Sequence, residues 1–191
     1  MRRLSRNSAG FTLLEILIVL ALAGVVVSLT APNFKQVIPQ MKVMRAAQKL
    51  VADLRLAQQK AVSEMSLVNF HVDVGQNRYF AEVRDRNSPV KVSEDPFWWR
   101  DYFDDFVEDP LNSGAYLLVD FDEQSNRFKG AQITSISATY YAVGTYGIYL
   151  SPLGDMYWPP YNTTITITDP NSGYNRQVQI SYPMAKVTLL P

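Results

Sequence analysis

The longest apolar stretch of the chain lies near its N-terminus, from Phe11 to Ala31. As an α-helix it would be about 31 Å long, close to the ~30 Å hydrocarbon core of a membrane. Glu15 is the only charged residue in this stretch, and a carboxylate at that depth costs roughly 2.5–3.5 kcal/mol unless it has a partner. Arg2, Arg3 and Arg6 precede the stretch with no acid among them. The positive-inside rule therefore predicts a cytoplasmic N-terminus and an exported remainder.

A second apolar pattern follows, with steps of three and four residues, and it predicts an amphipathic helix over residues 32–66. Pro32 and Pro39 each lack an amide hydrogen, so both are predicted to bend or loosen the helix. The apolar positions form one stripe that we predict to face a core. This stripe consists of Phe34, Val37, Met41, Met44, Ala47, Val51, Leu54, Ala57, Ala61 and Met65.

From Leu67 onward the apolar period changes to two, which is typical of β-strands. Two alternating segments flank the turn Gly75-Gln76-Asn77 and predict a hairpin. The predicted strands cover residues 68–74, 79–83, 117–121, 132–138, 147–150, 163–168, 177–182 and 186–190, with a turn at 169–173. Strands so closely spaced are predicted to pair antiparallel, because parallel crossovers need a dozen or more residues. One face of the sheet would pack on the helix, giving an α+β fold with a β-rich domain at 67–191.

The segment 95–110 mixes aromatic and acidic residues and has no clear period. One interpretation is a helix or loop whose aromatic side chains cover the sheet. The other is a docking patch for a partner, since Trp and Tyr are favoured at interaction centres. A calcium site among its acids would lack the ligand spacing and the glycine of an EF-hand loop. The aromatic residues in question are Trp98, Trp99, Tyr102, Phe103 and Phe106.

The amino-acid composition limits the kinds of catalytic and metal site that the chain can form. The 191 residues include no cysteine and one histidine, His71, which we predict to be an exposed strand residue without metal-binding neighbours. Disulfides, thiolate catalysis and cysteine-ligated metals are therefore excluded, and no cofactor or metal is predicted. No motif of a known catalytic type occurs, so we predict no enzymatic activity. The competing class, a membrane-tethered enzyme, would depend on carboxylate chemistry.

Charge argues against nucleic-acid binding. The whole chain is formally neutral, and without its N-terminal arginines and Glu15 it carries about −2. In residues 151–191 the bases Arg176 and Lys186 are matched by Asp155 and Asp169. Two bases and two acids do not supply the multiple phosphate contacts on which DNA binding depends.

Three classes of apolar N-terminal segment can be compared with this sequence. A cleaved secretory signal would have a shorter apolar region ending in a small-x-small site, and a plain signal anchor would not explain Gly10, Phe11 or Glu15. The third class accounts for all three residues. The run Gly10-Phe11-Thr12-Leu13-Leu14-Glu15 resembles the type IV prepilin signature, which pilins share with the pseudopilins of type II secretion.

This resemblance implies a processing pathway and a topology. A prepilin peptidase would cleave between Gly10 and Phe11 and methylate the new amine of Phe11, and Glu15 would pair with that amine on a neighbouring subunit during filament assembly. The chain would then consist of a cleaved cytoplasmic leader (1–10), a transmembrane assembly helix (11–31), a stalk helix (32–66) and a periplasmic head (67–191). The resemblance implies a type IV pilin-like fold in a single-pass protein of the bacterial inner membrane.

Two further segments resemble the GspH/FimT group of this family. Residues 56–62 lead directly from the helix into the hairpin, and the run Ile148-Tyr149-Leu150-Ser151-Pro152-Leu153-Gly154 ends in a late apolar-x-Pro-x-Gly turn. The segment 183–185, Pro-Met-Ala, departs from the group, in which a glycine commonly follows the penultimate strand. The resemblance implies an H-type minor pseudopilin whose partners are the prepilin peptidase, other major and minor pseudopilins, the inner-membrane assembly platform and membrane lipid, but not nucleic acid. The alternative is a FimT- or FimU-like minor type IV pilin.

Overall fold

The computed structural model describes residues 12–83, 105–109, 116–122, 128, 130–142 and 145–190. In these residues one α-helix is followed by β-strands, which confirms the predicted α+β class. The helix is α1 (Leu13–Ser63). The strands are β1 (Val68–Asp73), β2 (Arg78–Val83), β3 (Asp105–Phe106), β4 (Leu118–Asp120), β5 (Gln132–Ile136), β6 (Thr139–Ala142), β7 (Thr145–Leu150), β8 (Met156–Trp158), β9 (Thr163–Thr168), β10 (Asn175–Ser181) and β11 (Lys186–Leu190).

Helix α1 is 51 residues long and includes the positions of both Pro32 and Pro39. It joins most of the two segments predicted at 11–31 and 32–66. The division between those segments and the bends at the prolines remain predictions.

The chain divides into two compact units, Met1–Ile38 and Pro39–Pro191. In the described part of the first unit, the large apolar side chains are exposed on every side of α1. A helix that is apolar all round normally lies in an apolar environment. The exposed residues are Leu13, Leu14, Ile16, Leu17, Ile18, Val19, Leu20, Leu22, Val25, Val26, Val27, Val37 and Ile38.

Within the described residues, no helix is both long enough and apolar enough to cross a membrane.

The second unit contains two antiparallel sheets. In the first sheet the described strands follow the order β3-β2-β1-β7-β6, with β4 also paired to β2 and β8 to β7. The second sheet has the order β11-β10-β9-β5. The β1–β2 hairpin runs in register from Val68↔Val83 to Asp73↔Arg78, as predicted. Every pair of described strands is antiparallel, which confirms the pairing inferred from strand spacing.

One core connects α1 with both sheets of the second unit. The helix contributes a narrow stripe with steps of three and four residues, and four of its seven members are alanines, which allow close approach of the sheet. The stripe consists of Val43, Ala46, Ala47, Leu50, Leu54, Ala57 and Ala61. Among the largest buried side chains from the sheets are Phe70, Tyr79, Ile148, Ile165 and Ile180. All described core residues lie within 39–191, so this unit has its own core, as an independently folding domain does.

The predicted stripe on α1 was wrong at several positions. Ala47, Leu54, Ala57 and Ala61 are buried as predicted, whereas Val37, Met41 and Met65 are exposed. Val43, Ala46 and Leu50, which were not in the predicted stripe, are buried. Both stripes have helical spacing and differ by a rotation of the helix, and only the position of the sheet selects one of them.

Three short strands, β3, β6 and β8, were not predicted, because two to four residues are too few to establish a period. Strand β3 pairs with the end of β2 at Glu82↔Phe106 and Val83↔Asp105. The segment 95–110 is therefore a strand, not a helix, at these two positions. Trp98, Trp99, Tyr102 and Phe103 lie outside the described residues.

Candidate functional site: the start of the helix and the polar clusters of the head

Thr12 caps the N-terminus of α1. The backbone N–H of Glu15 donates to Thr12 Oγ1 at 3.3 Å and to the Thr12 carbonyl oxygen at 3.1 Å. Thr12 thus occupies the N-cap position and Glu15 the third helical position, the Thr-x-x-Glu pattern of a capping box. The spacing of Thr12 and Glu15 is the sequence signal for this cap.

Glu15 lies beside the unpaired backbone N–H groups of the helix N-terminus. Glu15 is exposed and lies in the first turn of α1. The unpaired N–H groups at a helix N-terminus create a partial positive charge there, which stabilises an anion. The side chain is therefore accessible to a cationic partner and is held on a rigid turn.

Most of the other predicted site residues lie outside the described part of the chain. Gly10 and Phe11, the predicted cleavage and methylation site, lie outside the described residues, as do Trp98, Trp99, Tyr102 and Phe103. The backbone of Phe106 belongs to β3. Pro32 and Pro39 are helical positions within α1.

A buried polar cluster joins α1 to the first sheet within the second unit. Asp53 is 3% exposed, although it lies on the core-facing side of the helix. Lys49 Nζ donates to Asp53 Oδ1 at 2.6 Å, and the hydroxyl of Tyr79 donates to Asp53 Oδ2 at 2.7 Å. Tyr79 is itself fully buried in β2, where its ring stacks on Phe70 at 5.3 Å. The carboxylate thus connects two elements that meet only in the tertiary structure.

Burial in this cluster changes the pKa values of Asp53 and Tyr79. Burial raises the pKa of Asp53, and the hydrogen bonds from Lys49 and Tyr79 oppose that rise without cancelling it. Burial, reinforced by the neighbouring Asp53 charge, raises the pKa of Tyr79 well above its ordinary value. Tyr79 therefore stays protonated and acts as a donor, which is a structural role.

His71 is buried, which corrects the prediction that it is exposed. It is 4% exposed, and its Nε2 lies 2.8 Å from both Asn69 Nδ2 and Glu82 Oε2. Its ring stacks on Phe80 with centroids 4.5 Å apart. Strand β1 lies between β2 and β7, and all six of its residues are buried, so alternation along β1 does not separate a buried face from an exposed one. Among the described residues, no three His, Cys, Asp or Glu side chains are grouped to hold a metal ion.

Comparison with known proteins identifies the N-terminal motif. Residues 5–31 match the family model described as the prokaryotic N-terminal methylation motif. The match spans Gly10, Phe11, Thr12 and Glu15. No curated protein sequence matches the chain.

Solved structures share the fold at low sequence identity. The minor pseudopilin EpsH of the type II secretion system of Vibrio cholerae is similar with a TM-score of 0.53 and 12% identity, over 78% of this chain and 96% of that one. A second EpsH crystal structure gives a TM-score of 0.52 at 12% identity, over 79% and 94%. The type IV minor pilin FimU of Pseudomonas aeruginosa reaches 0.47 at 15% identity, over 85% and 92%, a likeness too weak to argue from. The chain thus combines an N-terminal methylation motif with a type IV pilin-like fold.

Proposed function

We propose that the chain is a minor pseudopilin, a structural subunit of the periplasmic pseudopilus of a type II secretion system. The observation that carries the proposal is the methylation motif at residues 5–31, followed by a head with the fold of EpsH. A pilin-like head alone would leave open how the protein assembles. The motif supplies that step, because it combines a processing site with a helix suited to a filament core.

Processing would occur at the boundary between leader and helix. A prepilin peptidase would cleave between Gly10 and Phe11 and methylate the new amine of Phe11. Glycine suits the position before the cut, because without a Cβ its backbone can approach a catalytic centre closely. Thr12 then lies directly after the new terminus, and its cap on α1 does not depend on the leader.

The helix 11–31 would anchor the protein in the inner membrane, with the leader in the cytoplasm and the head in the periplasm. Its exposed apolar side chains, which surround the helix, support this placement. Within lipid, and later within the filament, these residues would contact acyl chains and the helices of other major and minor pseudopilins. An inner-membrane assembly platform would receive the subunit.

Glu15 would then guide assembly. The mature chain would begin with a cation at Phe11 and carry an anion at Glu15, both in a low-dielectric environment. A charge left unpaired there costs several kcal/mol, so pairing with the amine of a neighbouring subunit would offset much of that cost. The exposure of Glu15 on the first turn supports an intermolecular contact.

The described C-terminal residues of the head are balanced in charge. Arg176 lies over the ring of Tyr174 at 4.7 Å, and Asp169 is buried, where its carboxylate accepts from two turn amides. Because residues 151–191 contain two bases and two acids, we prefer secretion over uptake of nucleic acid.

The first test is the mass of the protein extracted from membranes. We expect loss of residues 1–10 and addition of one methyl group at Phe11. A leader that remains attached in cells possessing the peptidase would contradict the proposal.

The second test separates processing from assembly. Glu15→Leu should be cleaved normally but should enter filaments poorly, because the neighbour's amine loses its partner. Glu64→Leu, which removes an acid just beyond the other end of α1, is the matched control and should assemble as the wild type does. Normal incorporation of Glu15→Leu would refute the pairing.

The third test distinguishes secretion from a pilus. A strain lacking the protein should fail to release folded extracellular proteins and should keep its surface pili. Loss of pili with normal secretion would instead assign the chain to type IV pili as a FimT- or FimU-like minor pilin.

A further inference from the structure

The second unit bears a strongly exposed surface rich in aromatic residues, which we call the aromatic patch. It is formed by the segment 153–161 and the turn 182–184. Met156 N–H donates to the carbonyl oxygen of Pro183 at 2.7 Å, and Tyr182 N–H donates to Asn162 Oδ1 at 2.9 Å, so the two segments adjoin. The members and their exposed fractions are Leu153 (88%), Tyr157 (68%), Trp158 (41%), Tyr161 (47%), Tyr182 (43%) and Met184 (76%).

The six members of the patch together expose an area comparable with one side of a standard protein interface. At ~150–250 Å² per large side chain, its six members expose on the order of 700 Å². The largest apolar patch on a typical monomer is about 300–600 Å², whereas each partner in a standard interface buries about 800 Å². Its composition also matches an interface centre, where aromatic residues and Met are enriched and charged residues depleted. Asp155, the acid within the segment, accepts a hydrogen bond from Ser151 Oγ.

A recess adjoins the patch. A shallow groove of about 310 Å³ lies between the end of α1 and the turn that follows β7. Its lining includes Val62, Ser63 and Gly154. Gly154 directly follows Leu153, the most exposed member of the patch, and lies with its Cα hydrogen toward Val62, where a Cβ would come within 3.2 Å. A protruding apolar side chain and an open groove are therefore neighbours on the same surface.

We propose that the aromatic patch is the surface by which the head, residues 39–191, binds a second copy of itself, with Leu153 of each copy in the groove of the other. A two-fold interface is self-complementary, so it needs a protrusion and a recess side by side on one molecule. The patch supplies both. The six exposed members of the patch carry no charge, so they would not repel their copies across such an axis. This proposal does not depend on the proposed function.

The first test is the association state of the fragment 39–191, measured by sedimentation velocity over a range of concentrations. We expect a reversible dimer. The double variant Tyr157→Asp/Met184→Asp should weaken dimerisation at least ten-fold. Tyr116→Asp, which alters a comparably exposed tyrosine outside the patch, should not weaken it, and circular dichroism should show all three proteins folded. A monomer at every concentration, or equal weakening by Tyr116→Asp, would overturn the proposal.

The second test examines the contact itself and uses the absence of native cysteine. Fragments carrying Leu153→Cys and Ser63→Cys are mixed and oxidised. We expect disulfide-linked heterodimers in excess over either homodimer, because the protruding residue of one copy faces the groove of the other. If Leu153→Cys formed homodimers and no heterodimers with Ser63→Cys, the two Leu153 side chains would lie against each other, which would refute this arrangement.

Discussion

Removing the hydroxyl of Tyr79 tests the connection between α1 and the first sheet. Tyr79→Phe deletes the donor that lies 2.7 Å from Asp53 Oδ2. The phenylalanine ring retains the packing against Phe70 and Phe121, whose centroids lie 5.3 and 5.8 Å from that of Tyr79. The change therefore isolates one hydrogen bond.

The expected loss of stability in Tyr79→Phe depends on the burial of Asp53 and Tyr79. A hydrogen bond to a charged group contributes about 1.5–3 kcal/mol, and leaving a buried acceptor unsatisfied costs a similar amount. Asp53 is 3% exposed and Tyr79 is fully buried, so solvent does not readily replace the lost donor. Lys49 still pairs with the other carboxylate oxygen. We expect Tyr79→Phe to lower the free energy of unfolding by about 2 kcal/mol.

Urea unfolding of the fragment 39–191 measures this cost. With a slope of roughly 2 kcal/mol/M, the midpoint should fall by about 1 M and the slope should not change. Tyr157→Phe is the matched control, because its hydroxyl is in solvent, and it should change stability by less than about 0.5 kcal/mol. In a double-mutant cycle, Tyr79→Phe and Asp53→Asn should couple by about 1 kcal/mol or more.

The reasoning fails if Tyr79→Phe is as mild as Tyr157→Phe. It also fails if the two substitutions are additive, because the hydroxyl would then contribute nothing through Asp53.

Three further predictions concern the same fragment. Asn77→Ala should lower the free energy of unfolding in urea by about 3 kcal/mol. Asn77 has φ +50°, and its side chain accepts from Ile133 N–H and donates to the Ala131 carbonyl oxygen. Asn77→Gly should lower it less, because glycine adopts a positive φ without strain. Folding raises the pKa of Asp53, so the protonation of this carboxyl group stabilises the folded state fully below the ordinary pKa of 3.8. This stabilisation is lost as the pH rises through the pKa of Asp53 in the folded state. Asp53→Asn should remove this loss from the pH profile of the free energy of unfolding. Gly154→Ala should destabilise more than Gly173→Ala in thermal unfolding: both have positive φ, but only at Gly154 does a Cβ meet a neighbour.

Local patterns predicted the strands well. The hairpin β1–β2, the strand β9 and the turn at 169–173 all lie where period-two alternation and turn residues placed them. In that turn the Asp169 carboxylate accepts from the amides of Asn171 and Ser172, and Gly173 has φ +70°. Such contacts span only a few residues, so the sequence contains nearly all the information they need.

One departure from the expected family pattern has a structural counterpart. The turn between β10 and β11 places Ala185 at φ +48°, a conformation that glycine adopts at lower cost. The turn nevertheless forms, since β10 and β11 pair on either side of it through five residue pairs. Pairing of the flanking strands thus overrides the local preference.

The sequence by itself determined the methylation motif, the long helix and most of the strands, because these follow from local periodicity and short-range chemistry. It also contained the Thr12 cap. Only the tertiary structure decided which stripe of α1 meets the sheets, and it buried Asp53 and His71, two polar residues for which the sequence indicated no partner. Periodicity states which residues share a face. It does not state which face is covered, because that depends on strands brought together from distant parts of the chain, from β1 at residue 68 to β11 at residue 190.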